Sequence, residues 1–259
     1  MYGLGELRTP GTLQTRSMGG VGVGMRNAAA VNLLNPAAYS AVRPKSFLFD
    51  FGLEGQCFYN SQKYYGQTLN TSYYTVNFHD IAFQLPIAKH LGLGFSLTPY
   101  SSVGYRMKQE VDDDEIWGNI GRVQYQWDGD GDVTEVKLGL GWEIFRGFSI
   151  GIAAQYYWGD IQRIYKTAIL ENITGGGLIA DATGTETYSV SRFKGQFGVQ
   201  WSPISNRRRI LTIGATYDIG GDLNPNVTTK VQTGDIFNTV AMDMGNRLGL
   251  KLPQQVAVG

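Results

Sequence analysis

The sequence predicts an all-β protein: an antiparallel transmembrane β-barrel with a short helical hatch at its N-terminus. Six stretches alternate apolar with small or polar residues at period two for eight residues or more. Successive side chains of a strand point to opposite faces, so each stretch has one apolar face and one small or polar face. The stretches begin near Phe47, Leu91, Val136, Phe148, Phe193 and Leu211.

Alternation alone does not exclude a soluble sandwich or lipocalin, since one face of such a sheet meets the core and the other meets water. Two further features favour the membrane barrel. The polar phase is rich in glycine and short hydroxyl side chains, where a soluble sheet would carry many Lys and Glu residues. Aromatic residues also collect at segment ends, as at Tyr100, Trp158 and Trp201, where the girdles of a membrane barrel lie.

The composition agrees with a surface that faces lipid. Charged residues make up 17% of the 259 residues, below the roughly 25% of ordinary soluble domains. The net charge is zero, which excludes a basic footprint for nucleic acid. No apolar run approaches the roughly 18 residues of a membrane helix, so a helical membrane protein is excluded. We expect the lipid bilayer to be a partner and nucleic acid not to be one.

Residues 1–44 are predicted to form the hatch segment, and residues 45–259 are predicted to form the barrel strands. The hatch segment contains a glycine-rich stretch at 19–24. After it, the run of small residues at 28–31 favours a short helix, for which Asn27 is a suitable cap and Pro36 the expected end.

Strands follow along the rest of the chain, and several exceed the roughly 9 to 11 residues that cross a bilayer, so we expect them to project beyond it. The apolar phase shifts near His79 and Asp80, which predicts a β-bulge there. The predicted strands lie at about 46–59, 72–87, 91–109, 119–127, 133–145, 147–169, 185–203, 208–220 and 227–241, with a last one starting near 254.

The links between strands alternate in length, as in membrane barrels. Tight turns at 88–90, 146–147 and 205–207 are expected on one side, and longer links at 60–71 and 170–184 on the other. This alternation holds only if the candidate strand 119–127 belongs to one long outer loop over 110–132.

Local motifs for chemistry are weak, and we expect neither an enzyme nor a cofactor. The run from Asp128 to Asp132 resembles the start of a calcium loop, but Val133 replaces the required glycine and Gly139 the required glutamate, so a plain loop or turn is favoured. The run 112–115 is most simply a solvated acidic loop, although it could hold a divalent ion loosely. His79 and His90 are expected at a bulge and a turn, and no metal or catalytic residues are predicted.

The chain ends led to a separate expectation. Residues 1–15 have neither a basic region nor an apolar core of a signal peptide, and a fresh alternating strand begins at 255–259. We therefore expect residues to be missing from both ends of the natural protein.

Two N-terminal stretches, Ser17–Gly24 and Asn32–Ser40, resemble the FadL-type outer-membrane transporter superfamily in its Bacteroidota version. Two later pieces, Phe83–Ile87 and Leu97–Tyr105, agree with the same family. The resemblance implies the bacterial outer membrane, a fourteen-stranded barrel, a hatch inside it, and passive uptake of a hydrophobic small-molecule ligand such as a long-chain fatty acid. The nine or ten strands visible here are fewer than that fold requires.

By position, the resemblance places five residues in the hatch region, where they would gate the barrel or simply start it: Gly19, Gly20, Asn35, Pro36 and Ala37. Glycine would let the backbone pack closely inside a narrow lumen, and Asn-Pro favours an extended turn. Relatives of the superfamily also serve as accessory barrels of the type IX secretion system, so a secretion-system partner is the alternative to uptake. A soluble ligand-binding barrel is the third expectation.

Overall fold

A computed structural model describes residues 4–64, 66–111, 121–172, 181–205, 209–223, 225–233, 236–242 and 251–259. Nearly all of the regular structure is antiparallel β, which confirms the predicted all-β class. Among these residues, the helices are too short and too polar to cross a membrane.

The hatch segment contributes strand β1 (Glu6–Leu7), helix α1 (Leu13–Ser17) and a 3₁₀ helix (Pro36–Ala41). The strands after it are β2 (Leu48–Tyr64), β3 (Gln67–Ala88), β4 (Leu91–Glu110), β5 (Gly121–Phe145), β6 (Phe148–Asn172), β7 (Ala182–Ser205), β8 (Ile210–Asp218), β9 (Gly221–Asp222), β10 (Asn226–Thr233), β11 (Ile236–Met242), β12 (Lys251–Leu252) and β13 (Gln255–Val258).

One eleven-stranded sheet contains all of these strands except β9 and β12, which pair with each other. Strands β2 to β7 lie side by side in chain order, and β1 pairs with β4. Strands β8 and β10 pair with different parts of β7, while β13 pairs with β8 and β11 with β10. Within the described ranges, no pairing joins β2 to β11 or β13. The sheet is therefore not closed there, and barrel closure stays a prediction.

The two faces of the sheet differ as the alternation predicts. The apolar phase points outward: Phe49 is 60% exposed, Leu140 39% and Ile213 44%. The opposite phase is buried although it is polar, with Gln84 1% and Gln200 0% exposed. We call these the outer and inner faces. The inner face is concave, because side chains from strands two positions apart meet there.

The predicted bulge and both predicted histidine positions are confirmed. Gly52 pairs with Asp80 and Leu53 with Phe78, so His79 is the extra residue of β3. His90 lies in the turn between β3 and β4 with a φ of 69°. The turns at 88–90 and 146–147 are also confirmed, whereas 206–208 lie outside the described residues.

The strand predicted at 119–127 is confirmed over residues 121–127, which belong to β5. The alternative, one outer loop over 110–132, is therefore wrong from residue 121 onward, and so is the loop or turn expected at Asp128. Strand β5 runs without interruption and pairs with β4 as far as Glu110 and with β6 as far as Asn172. The Asp128 carboxylate lies 3.1 Å from Arg106 Nε and 3.8 Å from Lys166 Nζ on the two neighbouring strands. Cross-strand pairs of opposite charge stabilise a sheet, which explains why these aspartates do not break the strand.

The structure also differs from the prediction at one other long link and at one strand, whereas most of the link predicted at 170–184 lies outside the described residues. The link at 60–71 is wrong, because β2 continues until Tyr64 lies opposite Gln67. The single strand predicted at 227–241 is instead the hairpin of β10 and β11. The strand starting near 254 is confirmed as β13. The acidic run at 112–115 lies outside the described residues.

The short helix predicted between Asn27 and Pro36 is wrong, because residues 28–35 are not helical. The Asn27 carboxamide accepts a hydrogen bond from the Ala29 amide at 2.9 Å and forms only a turn. The 3₁₀ helix starts where the prediction ended it, because Asn35 caps it and Pro36 occupies its first position. Proline suits that position, since its missing N–H would have no helical partner there.

Candidate functional site

The candidate site is the interface between the hatch segment and the inner face. The 3₁₀ helix contacts β3, β4, β5, β6 and β7. Its first residues, Pro36 and Ala37, are buried, and Tyr39 is 1% exposed. The hatch segment therefore occupies the concavity of the sheet.

A row of four glycines forms the floor beneath the 3₁₀ helix. Gly92, Gly141, Gly151 and Gly198 are register partners across β4, β5, β6 and β7. A Cβ on Gly141 would lie 2.5 Å from the Pro36 carbonyl oxygen. We call these four residues the glycine row. It allows the backbone of the hatch segment to lie directly on the backbone of the sheet.

Side-chain amides fasten the hatch backbone to the sheet. Asn35 Oδ1 accepts from the Ala37 amide at 3.0 Å, while Asn35 Nδ2 donates to the carbonyls of Val23 at 2.8 Å and Val199 at 3.1 Å. Gln200 Nε2 of β7 also donates to the Val23 carbonyl, at 3.0 Å. The two donating side chains, Asn35 and Gln200, are each 0% exposed, so these bonds pair polar groups that are buried in the interface.

A buried lysine continues this network on β5. Lys137 Nζ donates to the Leu33 carbonyl at 3.1 Å and to Gln196 Oε1 at 3.2 Å, and it lies 3.7 Å from Glu135 Oε1. Gln84 of β3 donates to the Asn32 carbonyl at 2.9 Å. A buried charge is stable only when it is paired and hydrogen-bonded, so this part of the hatch is held in one register.

A second charged cluster lies beside the tight turns. Arg26 donates to the hydroxyls of Ser40 at 3.1 Å and Ser149 at 2.7 Å, and lies 3.6 Å from Glu143. Glu143 also accepts from His90 at 2.9 Å. Burial lowers the pKa of the Arg26 guanidinium and the Glu143 charge raises it in part. Arginine nonetheless stays charged.

A third contact ties the start of the hatch segment to β2. Arg16 donates to Glu54 Oε2 at 2.8 Å, and Arg8 lies 3.7 Å from Glu54 Oε1. Arg8 also donates to the Ser102 hydroxyl at 3.0 Å. The three side chains are between 13% and 27% exposed, so these pairs are partly screened by water.

We predict that Glu54→Gln loosens only this start of the hatch segment. The loss of a partly exposed ion pair costs about 1 kcal/mol or less. Trypsin cleavage after Arg16 should accelerate severalfold, and more salt should reduce the difference from the parent chain. Glu186→Gln is the matched control, because Glu186 bonds Tyr188 within its own strand. Equal rates for the parent and Glu54→Gln would contradict the prediction.

Between the hatch segment and β4 to β8 lies a cavity of about 440 Å³. Its wall includes the ionisable side chains of Arg8, Glu135, Lys137, Lys194 and Asp218. The cavity adjoins an apolar cluster, with which it shares Tyr157 and Leu252. That cluster comprises Val103, Val133, Tyr157, Ile161, Val190, Leu223 and Leu252. The wall is mixed, because Leu33, Leu34 and Tyr100 line the cavity beside these charged groups.

The five residues that the resemblance places in the hatch do not all lie together in the structure. Asn35, Pro36 and Ala37 lie together on the glycine row. Gly19 and Gly20 are exposed in the turn after α1, with φ near 80°. Neither touches the glycine row, although Gly20 borders the cavity. The structure leaves their gating role untested. Among the described residues, no group of three side chains is arranged to hold a metal ion.

Sequence reasoning did not single out the glycine row or the buried polar residues Gln84, Lys137, Gln196 and Gln200. A signal was present, because each of these residues belongs to the polar phase of a strand. The period identifies the phase, but only the strand register brings the four glycines into one line.

Comparison with known proteins gives one result. A family model described as BamG matches residues 1–259. No curated protein and no solved structure matches the chain. Because the matching family is not a FadL transport family, the resemblance to FadL-type transporters is wrong.

Proposed function

The chain belongs to the BamG family, and from this membership we propose that it is an outer-membrane accessory component of the BAM complex, with a structural and not a catalytic role. BamG is an outer-membrane-associated family linked to that complex. The family match along the whole sequence is the observation that carries the proposal. It implies a protein partner.

The family match corrects the expected function. Passive uptake of fatty acids is wrong, because the matching family is associated with the BAM complex and not with transport. The alternative, an accessory barrel with a protein partner, agrees better with the match. The partner proposed here is the BAM complex in place of a type IX secretion system.

The contacts on the inner face support a role that does not require a hydrophobic molecule to pass through the protein. The hatch segment lies across five strands and is held by a buried lysine and by side-chain amides. An apolar solute passing this interface would have to break those polar contacts and leave buried groups unpaired, which is costly. The hatch therefore acts as a fixed internal part of the protein.

The outer face supports a position in the bilayer. Exposed apolar side chains occupy this face on β2, β5, β6, β7 and β8, whereas soluble monomers rarely expose contiguous apolar patches larger than a few hundred Å². Trp142, Phe193 and Trp201 are each at least half exposed on this face. Their removal from water by lipid would stabilise the sheet by the hydrophobic effect.

Co-isolation tests the proposed partner. The chain is tagged in its native cell, cross-linked, extracted in mild detergent and purified, and its partners are quantified by mass spectrometry. Components of the BAM complex should be enriched over an equally abundant, equally tagged outer-membrane barrel of another family. Enrichment no greater than that of the control barrel would contradict the proposal.

A further inference from the structure

Unpaired positive charge collects along the tight-turn end of the sheet. Five exposed basic side chains project from four separate connections: Arg43, Lys45, Lys89, Arg146 and Arg209. Antiparallel pairing brings these connections to the same end of the strands. Within the described part of the chain, none of the five side chains forms an ion pair. We call them the basic rim.

The acidic side chain beside the β5–β6 turn, Glu143, is already paired. Glu143 binds Arg26 and His90, and it also accepts from the Gly147 amide at 3.0 Å. The opposite end of the strands differs, because there Asp128 pairs with both Arg106 and Lys166. The excess of positive charge is therefore local, even though the whole chain has a net charge of zero.

The basic rim borders a recess that is large enough to hold a lipid headgroup. An open cavity of about 810 Å³ lies at this end, and Arg26, Arg43, Lys89, His90 and Arg146 contribute to its wall. Several cationic side chains from different connections thus converge on one volume. Guanidinium and ammonium groups are the side chains that bind phosphate oxygens.

Aromatic residues on the outer face lie next to the rim. Phe47 is 61% exposed, and Phe145 is 58% exposed and stacks on Phe148 with ring centroids 4.8 Å apart. In membrane barrels, aromatic girdles lie at the level of the lipid headgroups. The rim then lies where phosphates are concentrated, which favours lipid over an acidic protein as its ligand.

We propose that the basic rim binds the headgroups of anionic phospholipids at the membrane surface. The inference rests on the membrane position in the proposed function but not on the BAM complex as partner. The recess holds one phosphate headgroup between Arg43, Lys89 and Arg146, while the acyl chains lie against the neighbouring aromatic side chains. Basic clusters attract anionic lipids in this way, and their affinity falls as salt increases.

Native mass spectrometry of the detergent-solubilised full chain tests the proposal. The chain is titrated with phosphatidylglycerol or phosphatidylcholine, and the bound lipids are counted. Arg43→Gln, Lys89→Gln and Arg146→Gln are combined in one variant. Its affinity for phosphatidylglycerol should fall about a hundredfold at low salt, since each basic residue near a lipid surface contributes roughly a factor of five. Affinity for phosphatidylcholine should not change.

The control carries the same change in charge at the opposite end: Lys63→Gln, Lys108→Gln and Lys230→Gln, all exposed residues. It should bind phosphatidylglycerol like the parent chain. Equal losses in both variants, or a parent chain that binds the two lipids equally, would overturn the proposal. A parent chain that stays soluble without detergent and binds neither lipid would instead refute the membrane position itself. Loss of BAM co-isolation with intact lipid selectivity would leave this inference standing.

Discussion

Gly151→Val should displace the hatch segment from the sheet while leaving strand β6 in place. A Cβ at this position would collide with the backbone of Pro36 and Ala37. Backbone atoms cannot move to another rotamer as a side chain can. The clash should therefore destabilise the seated hatch by at least as much as typical overpacking, about 1 to 3 kcal/mol. Valine favours strands, and the register partners of Gly151 on both neighbouring strands are glycines. The sheet itself should therefore tolerate the valine.

Limited trypsin digestion in detergent detects this displacement. In the parent chain Arg26 is held by Ser149 and Glu143, whereas in Gly151→Val cleavage after Arg26 should become rapid. Gly104→Val is the matched control, because a Cβ at Gly104 has no neighbour within 4 Å. The control should resist trypsin like the parent. If Gly151→Val resists equally well, the glycine row is not what seats the hatch.

Asn35→Ala should release the 3₁₀ helix by removing its cap and two donated hydrogen bonds. Loss of the cap costs about 1 kcal/mol, and loss of the two hydrogen bonds that Asn35 Nδ2 donates to the Val23 and Val199 carbonyls costs about 1 kcal/mol for each. The total of about 3 kcal/mol corresponds to roughly a hundredfold in the local opening equilibrium. The site is fully buried, so water cannot replace the lost bonds.

Hydrogen exchange measures the effect of Asn35→Ala directly. The protection of the amides of Ala37 and Ala38 should fall by about two orders of magnitude, while amides in β5 and β6 keep theirs. Asn27→Ala is the control, since the Asn27 side chain bonds only an exposed turn amide, and its effect should stay below about 1 kcal/mol. Unchanged protection in Asn35→Ala would show that the sheet alone holds the helix.

Period-two alternation was sufficient to predict the all-β class and the bulge at His79, because both depend on side-chain direction within one strand, which sequence spacing determines. The outward direction of Phe49, Leu140 and Ile213 required a second observation, the glycine and short hydroxyl side chains of the polar phase. The lengths of the hairpins were not predictable in this way. Polar residues such as Asp128 have a propensity for loops, but ion pairs with Arg106 and Lys166 on the neighbouring strands keep this residue in the sheet.

The candidate site was predicted only in part for a related reason. Asn35 and Pro36 carry a local signal, a cap followed by proline, although the helix was placed before them and not after. The polar phase of each strand identifies the inner face but not the glycine row, because Gly92 and Gly198 are brought into line only by the pairing of four strands. Tertiary register, and not propensity, creates the surface on which the hatch lies.

Spin-label accessibility in native outer-membrane vesicles tests the central claim, that the apolar face contacts lipid while the hatch fills the inner face. Single cysteines replace Leu140 or Ile152 on the outer face and Gln155 or Thr216 on the inner face, in a chain carrying Cys57→Ser because Cys57 is exposed. Labels at Leu140 and Ile152 should collide often with oxygen, which is concentrated in lipid, and rarely with a water-soluble nickel chelate. Free access of the nickel chelate to those two positions would contradict the account.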